Sequence, residues 1–481
     1  MQGDFSRDTY LPSSRYSRVL MQQGRVQLDS DWNEQTSILL GYMRALTRDL
    51  FGSGAGPANA CGFRIVTIEN RGSLTAEVKA EVDAALAEEK VELDENDMLI
   101  LAGRYYVAGL PVEATKAVRY RAQAGFPFGE GNVENLLKRS WIAYLDVWEE
   151  FVSADQDPYI RETALNGVDT CGRAQVRWRV RLLPDPNPDD QDPIAKLPPT
   201  GSGRIKVRAN PPEDPDTLCT IEPDARYRGA ENQLYRVEIH AGGKADATPG
   251  ATFKWSRDNS SITFRIVSGT GQRVTLAGLG RDEATTLVEG DWVELVDDLA
   301  IATAGVGLLA QVANVDLDGL RVELAAPDGQ AVPTYTTEEA NARHAFLRRW
   351  DHRVDPKKAG GAIPVVEGAA HEIELEDGIK VTFEEGGTYR AGDYWMIPAR
   401  VATGDVEWPG EPKTPEFQLP HGPAHYYAPL AMRGHRGTKP AEFVDRRCCI
   451  ARLPCVVEAR STGPATGSPT VTATVTTPDK K

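Results

Sequence analysis

The stretch RVQLDSDWNEQ, Arg25 to Gln35, alternates carboxylate and amide oxygens at a spacing that could cradle a metal ion. A calcium loop between two helices needs oxygens at positions 1, 3 and 5, glycine at 6 and glutamate at 12. Asp29, Asp31 and Asn33 supply the first three, whereas Glu34 and Leu40 stand at the last two. The same residues also read as a capping box. In that box Asp31 accepts from the backbone N–H of Glu34, and the Glu34 side chain reaches back to the N–H of Asp31. An amphipathic run follows at once, so a helix cap at Asp31 and Glu34 is expected, with no metal bound.

Three other constellations carry chemistry in principle. His421 and His425 in PHGPAHYY have the i, i+4 spacing of zinc ligands, but that spacing converges only on a helix, which Pro420, Gly422 and Pro423 oppose. Cys448, Cys449 and Cys455, with Cys219 or a histidine, would be enough for a zinc knot, yet adjacent cysteines on a strand point to opposite faces. Reduced, buried thiols acting as small hydrophobes are expected, with a disulfide as the alternative for a protein that ends outside the cell. In WIAYLDVWEEF, Asp146, Trp148 and Glu150 share a strand face with Ile142 and Tyr144, and sugar-cleaving sites combine carboxylates with aromatic platforms in this way. The basic face of Arg173, Arg177, Arg179 and Arg181 reads instead as the wet side of a sheet, paired to acids on a neighbouring strand. No phosphate-binding loop, dinucleotide fingerprint, nucleophile elbow or H-E-x-x-H motif occurs. No catalytic, cofactor-binding or metal-binding residue is therefore assigned, and no cofactor is expected.

The elements that must position these side chains are mainly β. Period-2 segments outnumber helical ones, and 44 glycines and 32 prolines punctuate them. The expected architecture is several small antiparallel β-sandwich or barrel modules, with an N-terminal amphipathic helix and one inserted surface helix. RAQVRWRVRLL places Ala174, Val176, Trp178, Val180 and Leu182 on one face. Asp377-Gly378 reads as a hairpin turn, and FKWSRDNSSITFRI and VANVDLDGLRVEL read as hairpins with polar turns. EGDWVELVDD and the strands after it suggest a small barrel. From Asp31 to Leu50 an apolar stripe of Leu39, Tyr42, Met43, Leu46 and Leu50 runs to a C-cap glycine, Gly52. This stripe either docks on a neighbour or covers the protein's own sheet. A second helix, 74–89, carries Val78, Val82 and Leu86, and a short third is expected in TTEEANARH. The resulting division is a docking segment 1–56, a β-domain 57–183, a Pro/Asp-rich linker 184–199, a barrel-containing β-domain 200–335, a C-terminal β-domain 336–460 and a flexible tail 461–481.

A chain of 481 residues can bury several cores, and a net charge of −16 repels phosphate backbones, so nucleic acid is not an expected partner. No apolar run approaches the roughly 20 residues that cross a bilayer, so no membrane insertion is expected. MQGDFSRDTY has neither the basic nor the apolar region of a signal peptide, and synthesis in the cytosol is expected.

An ordered series of motifs carries a resemblance. DFSRDTYLPSSRYSRVLMQQGRVQLDSDWNEQ, GRYYVAGLPVE, SWIAYLDVWEEFV, YRGAENQLYRVEIHAGG, ATFKWSRDNSSITF, GDWVELVDD, GDYWMIPARVATGDVEWP and HYYAPLAM, spanning about residues 3 to 455, resemble an uncharacterised bacterial family encoded beside phage-tail-like contractile injection systems. YSRVLMQQGRVQLDSDWNEQ is similar to the N-terminal segment of certain phage tail and tail-fibre proteins. The helix at 74–89 and the segment RRCCIARLP depart from the family pattern. The resemblance implies a structural subunit at a baseplate, fibre or other peripheral position of the assembled particle. Its partners would be other particle subunits, or copies of itself as a trimer if it is fibre-like. The docking face is expected at Leu39, Tyr42, Met43 and Leu46. The alternatives are a protein that binds or cleaves a surface glycan, with Trp148, Trp255 or Trp408 as platforms, and an assembly factor absent from the mature particle.

Overall fold

Strands far apart in the chain complete each other's sheets, and this nests three β bodies inside one another. The computed structural model describes residues 1–90, 92–126, 133–187, 192–209, 226–280, 282–303, 306–327, 329–354, 359–434 and 442–450. The fold is mainly β, built of small and largely antiparallel sheets with few helices, as the alternating sequence predicts.

The outer body is organised around the strand Trp141–Val152, which pairs along its whole length with Arg173–Pro184. Its other edge is taken by Tyr426–Gly434, a strand from the far end of the chain. A second four-stranded sheet contains Gly54–Pro57, Gly103–Val107 and Leu110–Ala114, with Cys449–Ile450 added in parallel. The two sheets share a core of Tyr105, Trp141, Leu145, Val180 and Ala428. The middle body packs the five-stranded sheet containing Gln233–Ala241, Thr252–Ser256 and Tyr394–Arg400 against the three-stranded sheet of Ile205–Ala209, Ile373–Glu374 and Ile379–Phe383. The inner body is a closed six-stranded barrel running from Thr263–Thr270 to Phe346–Trp350, filled by Ile266, Val274, Leu295, Val312 and Leu347. Closure removes the exposed edges that an open sheet of this size would present.

This nesting departs from the consecutive division that the sequence suggested. The barrel's closing strand, Phe346–Trp350, lies beyond the expected boundary at 335, and segment 336–460 supplies strands to all three bodies. FKWSRDNSSITFRI is not a hairpin. Thr252–Ser256 stays in the middle body while Thr263–Thr270 enters the barrel, and the chain turns between them through Asn259 and Ser260 at φ of 48° and 53°. Linker 184–199 is pinned where it is described, because Ile194 is buried against Ile142 and Tyr144. Three other local expectations hold. Asp377 and Gly378 have φ of 49° and 84° between paired strands, the combination a two-residue hairpin turn needs. The strands Leu308–Asp316 and Arg321–Ala325 pair, and Thr336 with Glu339 caps the short helix Thr337–Ala342. The expected tail, 461–481, lies outside the described residues.

Buried charges bolt the barrel to the middle body. Lys254, fully buried on Thr252–Ser256, lies 2.7 Å from Glu294 of the barrel and 3.3 Å from Glu238, which Arg236 also engages at 2.6 Å. Glu294 further accepts from the Trp350 indole N–H at 3.0 Å and the Gly307 backbone N–H at 2.8 Å. Ions this deep are tolerated only when each is paired and hydrogen-bonded, so the network ties the relative position of the two bodies to specific side chains.

Candidate functional site

The N-terminal helix, α1 (Asp29–Phe51), begins two residues before the expected cap. Asp31 occupies the third helical position, where its carboxylate accepts from the Leu28 N–H at 3.1 Å, so it closes the helix from inside rather than standing at the cap. Glu34 does not reach back to Asp31 and instead accepts from the Thr9 hydroxyl at 2.6 Å. Asp29 accepts from both the Ser6 N–H and the Ser6 hydroxyl. Partial burial works against ionisation there, but these hydrogen bonds hold the Asp29 carboxyl below its ordinary value. The opening stretch is thus a lacing point between an extended arm and a helix. No group of three metal-ligating side chains occurs among the described residues.

Further contacts seat α1 on the outer body. Val19 donates to Gln35, the Tyr10 hydroxyl packs so closely on Gly41 that no Cβ would fit, and Arg44 pairs with Glu149 at 2.7 Å. Gly109, at φ +87°, brings its strand turn against the backbone of Arg44, where an added Cβ would lie 2.6 Å from the carbonyl oxygen. Ile38 and Ser30 are the buried residues of the helix. Apart from Ile38, the face that meets the rest of the protein is therefore small and polar, and the other large apolar side chains point away from it. Leu39, Tyr42, Met43 and Leu46 are 53%, 54%, 64% and 61% exposed.

Among the described residues, 14 of the 25 exposed large hydrophobic side chains lie in the first 51 residues, roughly an eighth of them. They include Trp32 of the helix and Leu11, Tyr16, Leu20, Met21 and Val26 of the arm, and a search for one helical stripe misses these five because the arm has no regular period. The second helix, α2 (Ala76–Glu89), behaves in the opposite way: Val82 and Leu86 are buried against Val66, Leu93 and Leu99. Single exposed apolar residues are ordinary on any protein, but a concentration of this kind marks an interaction surface.

The acid and aromatic face of Trp141–Val152 lines a cleft of about 320 Å³ between the outer and middle bodies, together with Arg181, Arg390, Tyr394 and His425. Asp146 is completely buried and engages Arg179 at 3.0 Å and His425 Nδ1 at 2.6 Å. Burial alone would push its carboxyl up, yet His425 and Arg179 hold it below the ordinary carboxylate range. Burial also lowers His425 against the pull of Asp146, whose carboxylate its Nδ1 faces. Glu150 is raised by burial and pairs with Arg177 at 2.9 Å. Asp146 and Glu150 stand four residues apart on one strand, a separation of about 13 Å along the backbone. Glycosidic carboxylates work at about 5–10 Å. His425 stacks on Trp148 at 5.1 Å and Arg179 lies over the same ring at 5.1 Å, so the expected sugar platform already carries protein groups. Trp255 is buried in the middle body, and Trp408 is half-buried with its indole N–H donated to Glu416.

The two histidines diverge. His421 Nδ1 accepts from the Met396 N–H while His425 faces Asp146, with the cis Gly422–Pro423 bond between them. Cys449 is not a buried thiol. It is disulfide-bonded to Cys61 with Cα atoms 5.8 Å apart, which staples Cys449–Ile450 to the sheet that starts at Gly54, and Cys448 points outward as a free, exposed thiol. Opposite projection of adjacent strand residues explains why only one of the pair can reach Cys61. Cys219 and Cys455 lie outside the described residues.

One protein-family model matches residues 1–193 and 201–468, and it describes a family of unknown function, DUF6519. The match spans nearly the whole chain, and the protein belongs to that family. No curated protein matches it, and neither does any solved structure.

Proposed function

We propose that this member of the DUF6519 family is a structural subunit of a phage-tail-like contractile injection particle, at a baseplate, fibre or peripheral position, and that it docks through its N-terminal arm and α1. The concentration of exposed apolar side chains in the first 51 residues carries this reading. Left in water, such a surface is a liability; covered by a neighbouring subunit, it supplies the affinity of a permanent contact. The nested bodies suit the same role. Interdigitated strands, a closed barrel and a buried charge bolt resist deformation, as load transmitted through a contracting particle requires. The resemblance noted in the sequence supplies the identity of the particle. Synthesis in a bacterial cytoplasm followed by incorporation into a particle completes the proposal.

The test is incorporation. A chain carrying Leu39→Ser, Met43→Ser and Leu46→Ser keeps every contact that seats α1 and should fold. Particles purified from the producing bacterium and analysed by mass spectrometry should contain the parent chain and lack the variant. Equal incorporation of both would exclude α1 as the docking element. Absence of the parent from finished particles would favour the assembly-factor alternative.

A further inference from the structure

In the cleft between the outer and middle bodies, His425 has its orientation set and one ring nitrogen left over. The imidazole stacks on Trp148 at 5.1 Å and on Tyr427 at 6.4 Å, with interplanar angles of 24° and 20°, so the plane of the ring is fixed. Its Nδ1 lies 2.6 Å from the buried Asp146, which Arg179 holds in turn at 3.0 Å. A carboxylate that engages one ring nitrogen decides where the other points. Nε2 has no partner among the described residues and is not sealed from solvent, so it is presented to the cleft that His425 lines.

Charge says what the cleft takes. Four carboxylates line it, and each already faces an arginine: Asp146 faces Arg179, Glu149 faces Arg44, Glu150 faces Arg177 and Glu238 faces Arg236. Arg390 differs from these. Its guanidinium donates to the carbonyls of Pro199 at 3.1 Å and Pro198 at 3.0 Å and forms no ion pair among the described residues. Asp393, which feels its charge, directs its carboxylate to the backbone N–H groups of Gly201 and Arg390 instead. Carbonyls fix a guanidinium without neutralising it, so the positive charge is left for a ligand. Arg390 also opposes the ionisation of His425, which puts the two side chains within electrostatic reach of each other.

We propose that this cleft binds an oxyanion, a carboxylate or phosphate group carried on a small molecule, with Arg390 supplying the charge and His425 Nε2 the second contact. At about 320 Å³ the cleft stands at the small end of ligand pockets and holds one compact unit, not an extended polymer. The charged groups that act on His425 are Asp146 on the central strand, Arg179 on its neighbour and Arg390 from the middle body. A bound anion adds a negative charge to this set and draws a proton onto His425, so that Nε2–H donates to the ligand and the imidazolium stands between two anions.

Isothermal titration calorimetry of the full-length chain with sodium glucuronate, inorganic phosphate and glucose reads the site. One or both anions should give saturable heat and glucose none; glucuronate alone identifies a carboxylate on a sugar ring, and phosphate alone a phosphate group. Arg390→Gln should weaken binding about tenfold or more, the worth of a charge-assisted hydrogen bond. Because Arg390 also holds two carbonyls, the parent chain supplies a second reading. The bound anion should shift the His425 imidazole resonances in the nuclear magnetic resonance spectrum, and its affinity should rise as pH falls from 8 to 6. No saturable heat with either anion, equal binding of glucose, unchanged affinity in Arg390→Gln, or His425 resonances that do not move would each overturn the assignment. The measurement needs no particle, so it stands or falls independently of the proposed function.

Discussion

Replacing Glu294 by glutamine probes the bolt between the barrel and the middle body. Glu294 is fully buried and faces three donors: Lys254 at 2.7 Å, the Gly307 N–H at 2.8 Å and the Trp350 indole at 3.0 Å. Burial by itself would raise this carboxyl, but Lys254, Arg348 and His240 hold it well below the ordinary range, so it is ionised at neutral pH. Glutamine preserves the volume and leaves no cavity. It removes the charge and turns one acceptor into a donor aimed at another donor. Lys254, also fully buried, is left with Glu238 at 3.3 Å, a carboxylate that Arg236 already holds at 2.6 Å. Removing one partner of a buried ion pair costs roughly 3–5 kcal/mol. For a body of this size that corresponds to a fall in Tm of roughly 6–20 °C. Scanning calorimetry at pH 7 measures it directly. Adding Lys254→Met removes the stranded ammonium and should restore part of the loss, because the two changes act on one interaction. An unchanged Tm in Glu294→Gln, or a double variant less stable than the single, would refute the assignment of this network as the bolt.

Acid should destabilise the protein below about pH 6.5, the ordinary value of an unfolded histidine. Burial lowers His240 and His352 to about 4 in the folded chain. The unfolded state then binds more protons, and stability falls as pH drops from 6.5 toward 4 by about 1.4 kcal/mol per pH unit for each group. Urea unfolding at pH 7 and 5 reads this slope, and flat stability over that interval would contradict the burial of these rings. Gly109→Ala forces a side chain into a left-handed turn against the Arg44 carbonyl, at a local cost of about 1–3 kcal/mol. Hydrogen exchange should speed up in α1 and stay unchanged in the barrel. Alkylation of the denatured, unreduced protein followed by peptide mapping should modify Cys171 and Cys448 and leave the bridged pair Cys61 and Cys449 unmodified. Modification of Cys61 and Cys449 would exclude the bridge.

Much of the local structure was legible without coordinates. The alternation in Arg173 to Leu182, the Asp377-Gly378 turn, α2 and the apolar stripe of α1 each follow from interactions within one element, and side-chain period reports those directly. The pairing of the arginine face with acids was also readable, and Arg177 and Arg179 do meet Glu150 and Asp146. The helix start was misplaced because Thr9, twenty-five residues away, takes up the Glu34 carboxylate that the expected capping box would use, and Asp31 closes on Leu28 instead. The bridge between Cys61 and Cys449 and the burial of Trp255 were not readable, since each depends on a segment distant in the chain.

Composition and period alone determined that the chain is mainly β, that its net charge is strongly negative and that an amphipathic helix stands near its start. Tertiary structure decided that the barrel sits inside the middle body and the middle body inside the outer one, because strand partners are chosen by cores assembled across hundreds of residues. It also decided the direction of the apolar stripe. An amphipathic pattern says that one side of a helix seeks cover, but only the contacts of Ile38, Gly41 and Arg44 show that the opposite side is the one seated on the protein.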